Sequence, residues 1–282
     1  GILMGEVDPV AINTLNHEPD IKYIVPGLKR GLDILKIFNR KRVQMNAPEI
    51  ANELQVPRST IFRLLQTLEY MDLIEKVPNT SNYKLAAGAL GLGFEFLASL
   101  EITDFADPIL EKLSNKTGLS AHVVIRDKTD VVFIAKKSAK LTFSSSVNIG
   151  TRLPAHGTVL GRVLLADLSK AELKKLYPES ELVSFSKQTP ESVDKLSQVL
   201  ELDRVNGYAI SEAYFEHGIG SIAAAIRDGS SKAVAAINVT YQLGTVEKSL
   251  INGLLLESVL AAAAELSRQL NYSDQKALRN VG

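Results

Sequence analysis

The chain has 282 residues, which is long for a single hydrophobic core and predicts two domains. Its formal net charge is zero and it contains no cysteine, so a histone-like polycation, a disulfide framework and thiolate chemistry are excluded. No uncharged apolar run approaches the roughly 18 residues that a membrane helix needs, and no signal-peptide pattern is present. We therefore expect a cytoplasmic protein without a membrane partner.

Charge is distributed unevenly along the chain. Between Val25 and Gly88 there are ten basic and six acidic residues, so this segment carries +4 and the remainder −4. A basic module joined to an acidic one is typical of a DNA reader attached to a domain that does not touch DNA. The preceding residues, 1–22, lack periodicity and are interpreted as a flexible arm.

The segment from Asn46 to Leu68 predicts two short helices joined by a tight turn, preceded by a helix over Leu28–Phe38. Asn46 is a good N-cap, and the break at Val56–Pro57 follows because a residue before proline is pushed out of the α region. The second helix of the pair turns leucines inward. Its other face carries arginines, hydroxyls and an amide, which suit phosphates and base edges: Arg58, Ser59, Thr60, Arg63 and Gln66.

Two short runs, Leu73–Lys76 and Ser81–Leu85, flank a turn-like segment and predict a hairpin. A hairpin directly after a recognition helix makes a winged helix-turn-helix. Three residues near its tip are predicted to contact the sugar–phosphate backbone: Lys76, Tyr83 and Lys84. The alternative is an ordinary helical hairpin with a solvated polar face.

The next segment, Ala86–Leu100, is apolar and only weakly amphipathic, which indicates a helix with more than one buried side. We interpret it as a linker helix that pairs with its twin in a homodimer. The alternative is a core helix within one domain. From Asp104 onward, helices and strands mix in an order that implies an α+β sheet with helices packed on it.

Three segments make the chain resemble the IclR family of bacterial transcription regulators. They are VPRSTIFRLLQTLEYMDLIEK from Val56, RLPAHGTVLGRVLLA from Arg152, and NGYAISEAYFEHGIGSIAAAI from Asn206 followed by AAINVT. The resemblance implies an α+β protein with an N-terminal winged helix-turn-helix, a linker helix and a C-terminal GAF-like effector domain. It divides the chain into the arm (1–22), the DNA-binding domain (23–86), the linker helix (87–103), the effector domain (104–272) and a tail (273–282).

The resemblance also implies partners. We expect a homodimer or dimer of dimers on palindromic operator DNA and a small-molecule carboxylate effector, with RNA polymerase as a further candidate partner. The wording of the second segment is similar to the branch that governs aromatic-acid breakdown, so an aromatic acid such as protocatechuate is expected. An aliphatic acid is the alternative.

The effector site is predicted from the same resemblance. Matched by position, the family's pocket falls on the backbone amides of Val159 and Leu160 and on four polar side chains: Ser211, Ser221, Asn238 and Thr240. Asn238 and Thr240 stand two apart on an apolar strand and so face the same way. Polar groups on a core face need partners, so a ligand or an ordered water is expected; the alternative is mutual hydrogen bonding in a dry core.

Two cationic candidates complete the predicted site. Arg152 and His156 are expected to add positive charge near the pocket mouth, although a histidine before a helix is often structural. Many relatives carry an acidic residue where this chain has Ser211, and the loss of that charge favours an anionic ligand.

Other chemistries lack support in the sequence. The four histidines show no metal-ligand spacing, and no catalytic pair stands out. We expect no metal, no cofactor and no catalytic residue. The alternatives are an enzyme built on the second domain and an architectural DNA-binding protein without an effector.

Overall fold

The computed structural model describes residues 20–139 and 147–272 and divides into two compact units between Ser99 and Leu100. The predicted arm, up to residue 19, and the predicted tail, 273–282, lie outside the described residues.

The first unit is the predicted winged helix-turn-helix. After a short 3-10 turn, its elements are α1 (Pro26–Ile37), β1 (Met45–Asn46), α2 (Ala47–Leu54), α3 (Arg58–Tyr70), β2 (Ile74–Lys76), β3 (Asn82–Leu85) and α4 (Gly88–Ser99). Asn46 caps α2 as expected, because its Oδ1 accepts a hydrogen bond from the Glu49 amide at 2.9 Å. The strands form an antiparallel sheet in the order β1-β3-β2.

One apolar core holds this unit together. Its fully buried members include Ile34, Ile50, Ile61 and Leu65, which lie on the predicted apolar faces of α1, α2 and α3, and Ile74 on β2. Helix α2 ends at Gln55, whose left-handed backbone (φ 54°) turns the chain toward α3. The core therefore fixes α3 with its apolar side inward and its polar side outward.

Helix α4 differs from a core helix. None of its residues is buried, and its large apolar side chains are between 50 and 70% exposed: Leu90, Leu92, Phe94 and Phe96. The alternative of a core helix within its own unit is therefore wrong. The helix predicted over 87–103 is also not continuous, because Leu100 has an extended backbone and separates α4 from the next helix.

The second unit is built on a six-stranded antiparallel sheet in the order β6-β5-β4-β9-β8-β7. Its elements are α5 (Glu101–Thr117), β4 (Ser120–Asp127), β5 (Asp130–Lys137), β6 (Arg152–Pro154), α6 (Val159–Leu165), α7 (Lys170–Leu176), α8 (Val193–Asn206), β7 (Tyr208–Glu212), β8 (Ile219–Arg227), β9 (Ala233–Gln242), α9 (Lys248–Leu250) and α10 (Leu256–Gln269). A π turn, Ile251–Leu255, joins α9 to α10.

Helices cover both faces of this sheet. Helix α6 packs on one side in a cluster that includes Phe133, Ala223 and Ala236. Helices α5 and α10 pack on each other and on strands β4, β5, β8 and β9, and alternating strand residues such as Ile222 and Ile237 are also fully buried. The predicted α+β fold is confirmed.

One described helical stretch, Lys248–Gln269, is long and apolar enough to cross a membrane by length and composition, with a mean hydropathy of 1.5. Core helices of soluble proteins meet the same criteria. In this chain the stretch packs against β8 and α5, and Val259 and Leu266 on it are fully buried. Packing against the sheet accounts for its apolar composition.

Candidate functional site

The outer face of α3 presents the predicted DNA-reading side chains. Arg58, Ser59, Arg63 and Gln66 are exposed, and Thr60 is half-buried. Elsewhere in this unit basic side chains pair with acids, as Arg42 does with Glu53. Within the part of the chain that the structure describes, the guanidinium groups of Arg58 and Arg63 form no ion pair. Both are therefore available to an anionic partner.

The wing is the β2–β3 hairpin. Its turn is closed by a hydrogen bond from the Val77 amide to the Asn82 carbonyl at 2.9 Å. Lys76 is exposed, and its Nζ lies 5.9 Å from the ring centre of Tyr83. Lys84 Nζ lies 3.3 Å from the carboxylate of Glu75. Two of the three predicted wing residues thus keep an accessible cationic group.

Tyr83 corrects the prediction made for it. Its side chain is only 4% exposed and belongs to the apolar core of the unit, so it cannot contact DNA. The alternation of β3 carried the signal, because Asn82 and Lys84 on either side are half-exposed and a residue between them faces the other way.

The second unit contains a cavity of about 80 Å³ between the sheet, the start of α6 and the β7–β8 loop. Six of the eight predicted effector residues line it: Val159, Leu160, Ser211, Ser221, Asn238 and Thr240. Nine others were not predicted: His122, Phe133, Val147, Leu153, Thr158, Tyr214, Phe215, Glu216 and Ile219. A single water molecule needs roughly 10–15 Å³ of cavity volume. A cavity of about 80 Å³ therefore suits a small organic molecule rather than a dinucleotide.

A row of polar side chains crosses the sheet face of the cavity. Asn238 on β9 stands opposite His122 on β4, and its Oδ1 lies 2.9 Å from the His122 Nδ1. Its Nδ2 donates to the Ser221 Oγ at 3.0 Å, a diagonal neighbour on β8. The antiparallel register therefore assembles three polar groups that are far apart in the sequence.

His122 is 1% exposed, and burial lowers its pKa from 6.5 to about 4, with a smaller opposing effect from the bond to Asn238. The positive charge of Lys136 also lowers this pKa. Its ring meets Phe133 edge-on, with ring centres 5.5 Å apart. His122 is consequently a neutral imidazole at neutral pH.

The polar row is not fully satisfied. The Nε2 of His122 and the Oγ1 of Thr240 are buried and have no hydrogen-bond partner among the described residues. Mutual hydrogen bonding in a dry core thus explains Asn238 and Ser221 but leaves these two atoms unexplained. Because buried polar atoms are nearly always paired, a ligand or a water is the expected partner.

The cavity also contains a carboxyl group that the sequence did not indicate. Glu216, on the β7–β8 loop, is half-buried, and burial raises its pKa. Ser211 donates its hydroxyl to the Gln188 Oε1 at 3.0 Å. Ser211 and Glu216 both line the cavity, so the cavity keeps a carboxyl group although position 211 is a serine.

Arg152 and His156 do not line the cavity. Arg152 binds Asp130 through Nε at 3.1 Å and Asp127 through Nη2 at 2.8 Å, while its strand neighbour Leu153 faces the cavity. The Nε2 of His156 lies 2.8 Å from the Val183 carbonyl oxygen, and burial lowers its pKa. The predicted positive charge at the mouth is wrong, and the structural role is the one that fits His156.

Tyr214 anchors the loop that forms one wall. Its hydroxyl donates to the His156 carbonyl at 2.8 Å, and its own carbonyl accepts from Ser186 at 2.6 Å and Thr189 at 3.1 Å. The guanidinium of Arg162 lies 5.0 Å from the ring centre and is itself held by Asp203 through two hydrogen bonds. These contacts fix the β7–β8 loop in position as one wall of the cavity.

A second, smaller cavity of about 30 Å³ lies beside α8, and none of the described residues that line it has a buried side-chain polar atom without a partner. Its charged side chains pair within the protein: Arg227 binds Asp167 at 2.8 Å, and Arg204 binds the Ala166 carbonyl at 2.9 Å. Among the described residues, no group of three or more metal-binding side chains could hold a metal ion.

Comparison with known proteins identifies the family of this chain. The model for the bacterial transcriptional regulator IclR C-terminal domain matches residues 94–268, and the model for the IclR helix-turn-helix domain matches residues 27–78. The chain belongs to the IclR family of bacterial transcriptional regulators. IclR-family members are ligand-responsive regulators that bind operator DNA and small-molecule effectors.

Individual relatives agree with this assignment. The chain is 30% identical to the HTH-type transcriptional regulator XynR of Escherichia coli over 88% of its own length and 98% of that protein. It is 27% identical to the Pca regulon regulatory protein of Pseudomonas putida, over 92 and 88% of the two chains. A transcriptional regulator from Rhodococcus sp. RHA1 has a similar structure, with a TM-score of 0.78, 29% identity and coverage of 88 and 99%.

Proposed function

We propose that the protein is a cytoplasmic, dimeric regulator of a catabolic operon that binds a palindromic operator and senses a small carboxylic acid. Each subunit contacts one half-site through its α3 helix and its wing, as two-fold symmetric helix-turn-helix dimers do. Arg58, Ser59, Thr60, Arg63 and Gln66 read the DNA, while Lys76 and Lys84 neutralise phosphates. Effector binding shifts the balance between DNA-compatible and DNA-incompatible states, which requires different effector affinities in the two.

The exposed apolar side chains of α4 support a dimer. Four large apolar residues on one helix, each at least half exposed, form a surface that is costly to leave in water. A second copy of α4 covers such a surface and gives the two-fold symmetry that a palindromic operator needs. The same surface is also compatible with a dimer of dimers.

We place the effector in the cavity of the second unit, and the observation that carries this assignment is the pair of buried atoms without partners, His122 Nε2 and Thr240 Oγ1. The amides of Val159 and Leu160, in the first turn of α6, have no helical acceptor, and both residues line the same cavity. We propose an aromatic acid such as protocatechuate, supported by the likeness to the Pca regulon protein and by the Phe133 and Phe215 rings. An aliphatic acid is the second candidate.

Calorimetric titration against protocatechuate, 4-hydroxybenzoate, pyruvate, glyoxylate and adipate tests this function. Thr240→Val removes one unpartnered hydroxyl without changing side-chain size, and it should weaken binding of the best acid about tenfold. Thr245→Val makes the same change at an exposed site outside the cavity and should bind like the wild type. Equal affinities in the Thr240 variant and the wild type would remove the cavity from the proposal, and an aliphatic binder would replace the aromatic one.

A further inference from the structure

The orientation of His122 fixes which of its ring nitrogens can receive a ligand. Asn238 donates through Nδ2 to Ser221, so its Oδ1 faces the His122 Nδ1 as an acceptor at 2.9 Å. With the Asn238 amide in this orientation, Nδ1 carries the proton. A neutral imidazole has only one N–H, so Nε2 carries a lone pair and can only accept a hydrogen bond.

The surroundings of this lone pair are rich in acceptors. Nε2 is buried without a partner on a side chain that lines the cavity, and the Thr240 hydroxyl beside it on the sheet is likewise unpartnered. Glu216 adds a carboxyl group to the same lining. Among the described residues that line the cavity there is no lysine or arginine. The polar wall therefore calls for a ligand that brings donors.

We propose that His122 is a specificity-determining residue of the effector site and that it selects hydroxylated acids by accepting a hydrogen bond from a ligand hydroxyl. A phenolic or alcoholic O–H satisfies Nε2, and its oxygen can accept from Thr240. A ligand with only carbonyl or ring C–H groups at this point leaves the lone pair unsatisfied, which is costly in a buried site. This inference rests on the proposed effector site and narrows it to one chemical class.

Matched ligand pairs test the inference directly. 4-Hydroxybenzoate and benzoate differ by one phenolic hydroxyl, and lactate and pyruvate differ by a hydroxyl against a carbonyl. Calorimetric titration of the full-length wild type should give at least tenfold tighter binding for the hydroxylated member of the pair that binds. His122→Phe keeps the ring and its edge contact but removes the acceptor, so the preference should fall to within about twofold. His217→Phe, the same change at an exposed loop position outside the lining, should keep it.

Asn238→Asp gives a second test that does not depend on the stability of the His122 variant. A carboxylate at this position accepts from Nδ1 and favours the imidazolium, so Nε2 becomes a donor. The preference should then reverse, with pyruvate binding more tightly than lactate. Nitrogen-15 NMR of the free wild-type protein should show an unprotonated Nε2 and a protonated Nδ1 on His122.

The outcomes separate this inference from the proposed function. Equal binding of the paired ligands, a preference that survives in His122→Phe, or a protonated Nε2 in the free protein overturns the role of His122 and leaves the effector site standing. Failure of every acid to bind overturns both. A hydroxyl preference that is lost in His122→Phe and reversed in Asn238→Asp supports the assignment.

Discussion

At the scale of single residues, His122 links the stability of the second unit to pH. Its ring is buried against Phe133 and bonded to Asn238. Burial, with a smaller contribution from the charge of Lys136, lowers its pKa in the folded protein from 6.5 to about 4. Between these values the unfolded chain binds a proton that the folded chain does not, so the free energy of unfolding decreases as pH falls from 6.5 toward 4. This one group should account for up to about 3 kcal/mol of that decrease.

Urea denaturation at pH 7.5, 6.0 and 5.0 measures the effect. Other groups titrate in this range, so the informative quantity is the difference between the wild type and His122→Phe. As pH falls, the free energy of unfolding of the wild type should decrease relative to that of His122→Phe, because the variant lacks the buried imidazole. His217→Phe should follow the wild-type curve, since its side chain is exposed. Parallel curves for the wild type and His122→Phe would contradict the depressed pKa.

Arg63 tests the DNA surface at the same scale. It is exposed on the outer face of α3 and has no ion-pair partner in the described part of the chain. Removing a guanidinium that binds a base edge costs about 1–3 kcal/mol, so Arg63→Ala should weaken operator affinity about tenfold or more. Effector binding should be unchanged, because the cavity lies in the other unit.

Gel-shift titration on a duplex selected from random sequences by the wild type gives the measurement for Arg63. Arg268→Ala removes the same charge from an exposed site on α10 and serves as the matched control. A titration curve for Arg63→Ala that overlies the wild type would remove this residue from the DNA interface. A loss that is uniform across sequences, with a lower salt slope, would assign Arg63 to phosphates instead of bases.

At the scale of elements, α4 carries the next prediction. Its apolar residues surround the helix, since Leu90 and Phe94 share one side while Leu92 and Phe96 share another. A helix that is hydrophobic all round is normally buried, and α4 has no buried residue within the chain. Phe94→Asp should therefore raise the dimer dissociation constant at least tenfold in sedimentation equilibrium. Glu95→Gln, on the same helix, should leave it unchanged, and a dimer indifferent to Phe94→Asp would have its interface elsewhere.

The elements of the fold follow from local patterns, and the errors in the site follow from contacts that local patterns do not contain. The 3.6-residue repeat placed Ile61 and Leu65 in the core and Arg63 outside. Tyr83 lies in the core although it is close to the hairpin tip, because strand alternation along β3 decides which side chains face inward. Nearness to the hairpin tip does not indicate whether a side chain is buried.

The effector site shows the same limit more strongly. His122 and Asn238 are 116 positions apart, and only the register of β4 on β9 makes them neighbours. Arg152 was expected at the cavity, but Asp127 and Asp130 bind it at the β5–β6 edge of the sheet. The six residues matched to the family's pocket line the cavity, whereas His122, the third member of the polar row, was found only from the structure.

At the scale of the whole molecule, the proposed regulator must couple two sites that lie in different units. If an acid changes operator affinity by some factor, the operator must change acid affinity by the same factor, because the coupling free energy is shared. We expect protocatechuate, or the acid that titration identifies, to change the operator dissociation constant at least fivefold, a size typical of coupled binding sites.

Thr240→Val separates coupling from DNA binding itself. Without acid, this variant should bind the operator like the wild type, because its substitution lies in the cavity. At an acid concentration equal to the wild-type dissociation constant, its operator affinity should change much less than that of the wild type, while Thr245→Val should respond like the wild type. Gel-shift titrations with and without acid supply one half of the cycle, and calorimetry of the acid with and without operator supplies the other. An acid that binds the cavity equally well in both conditions exerts no control over DNA binding, since a ligand with equal affinity for two states shifts neither.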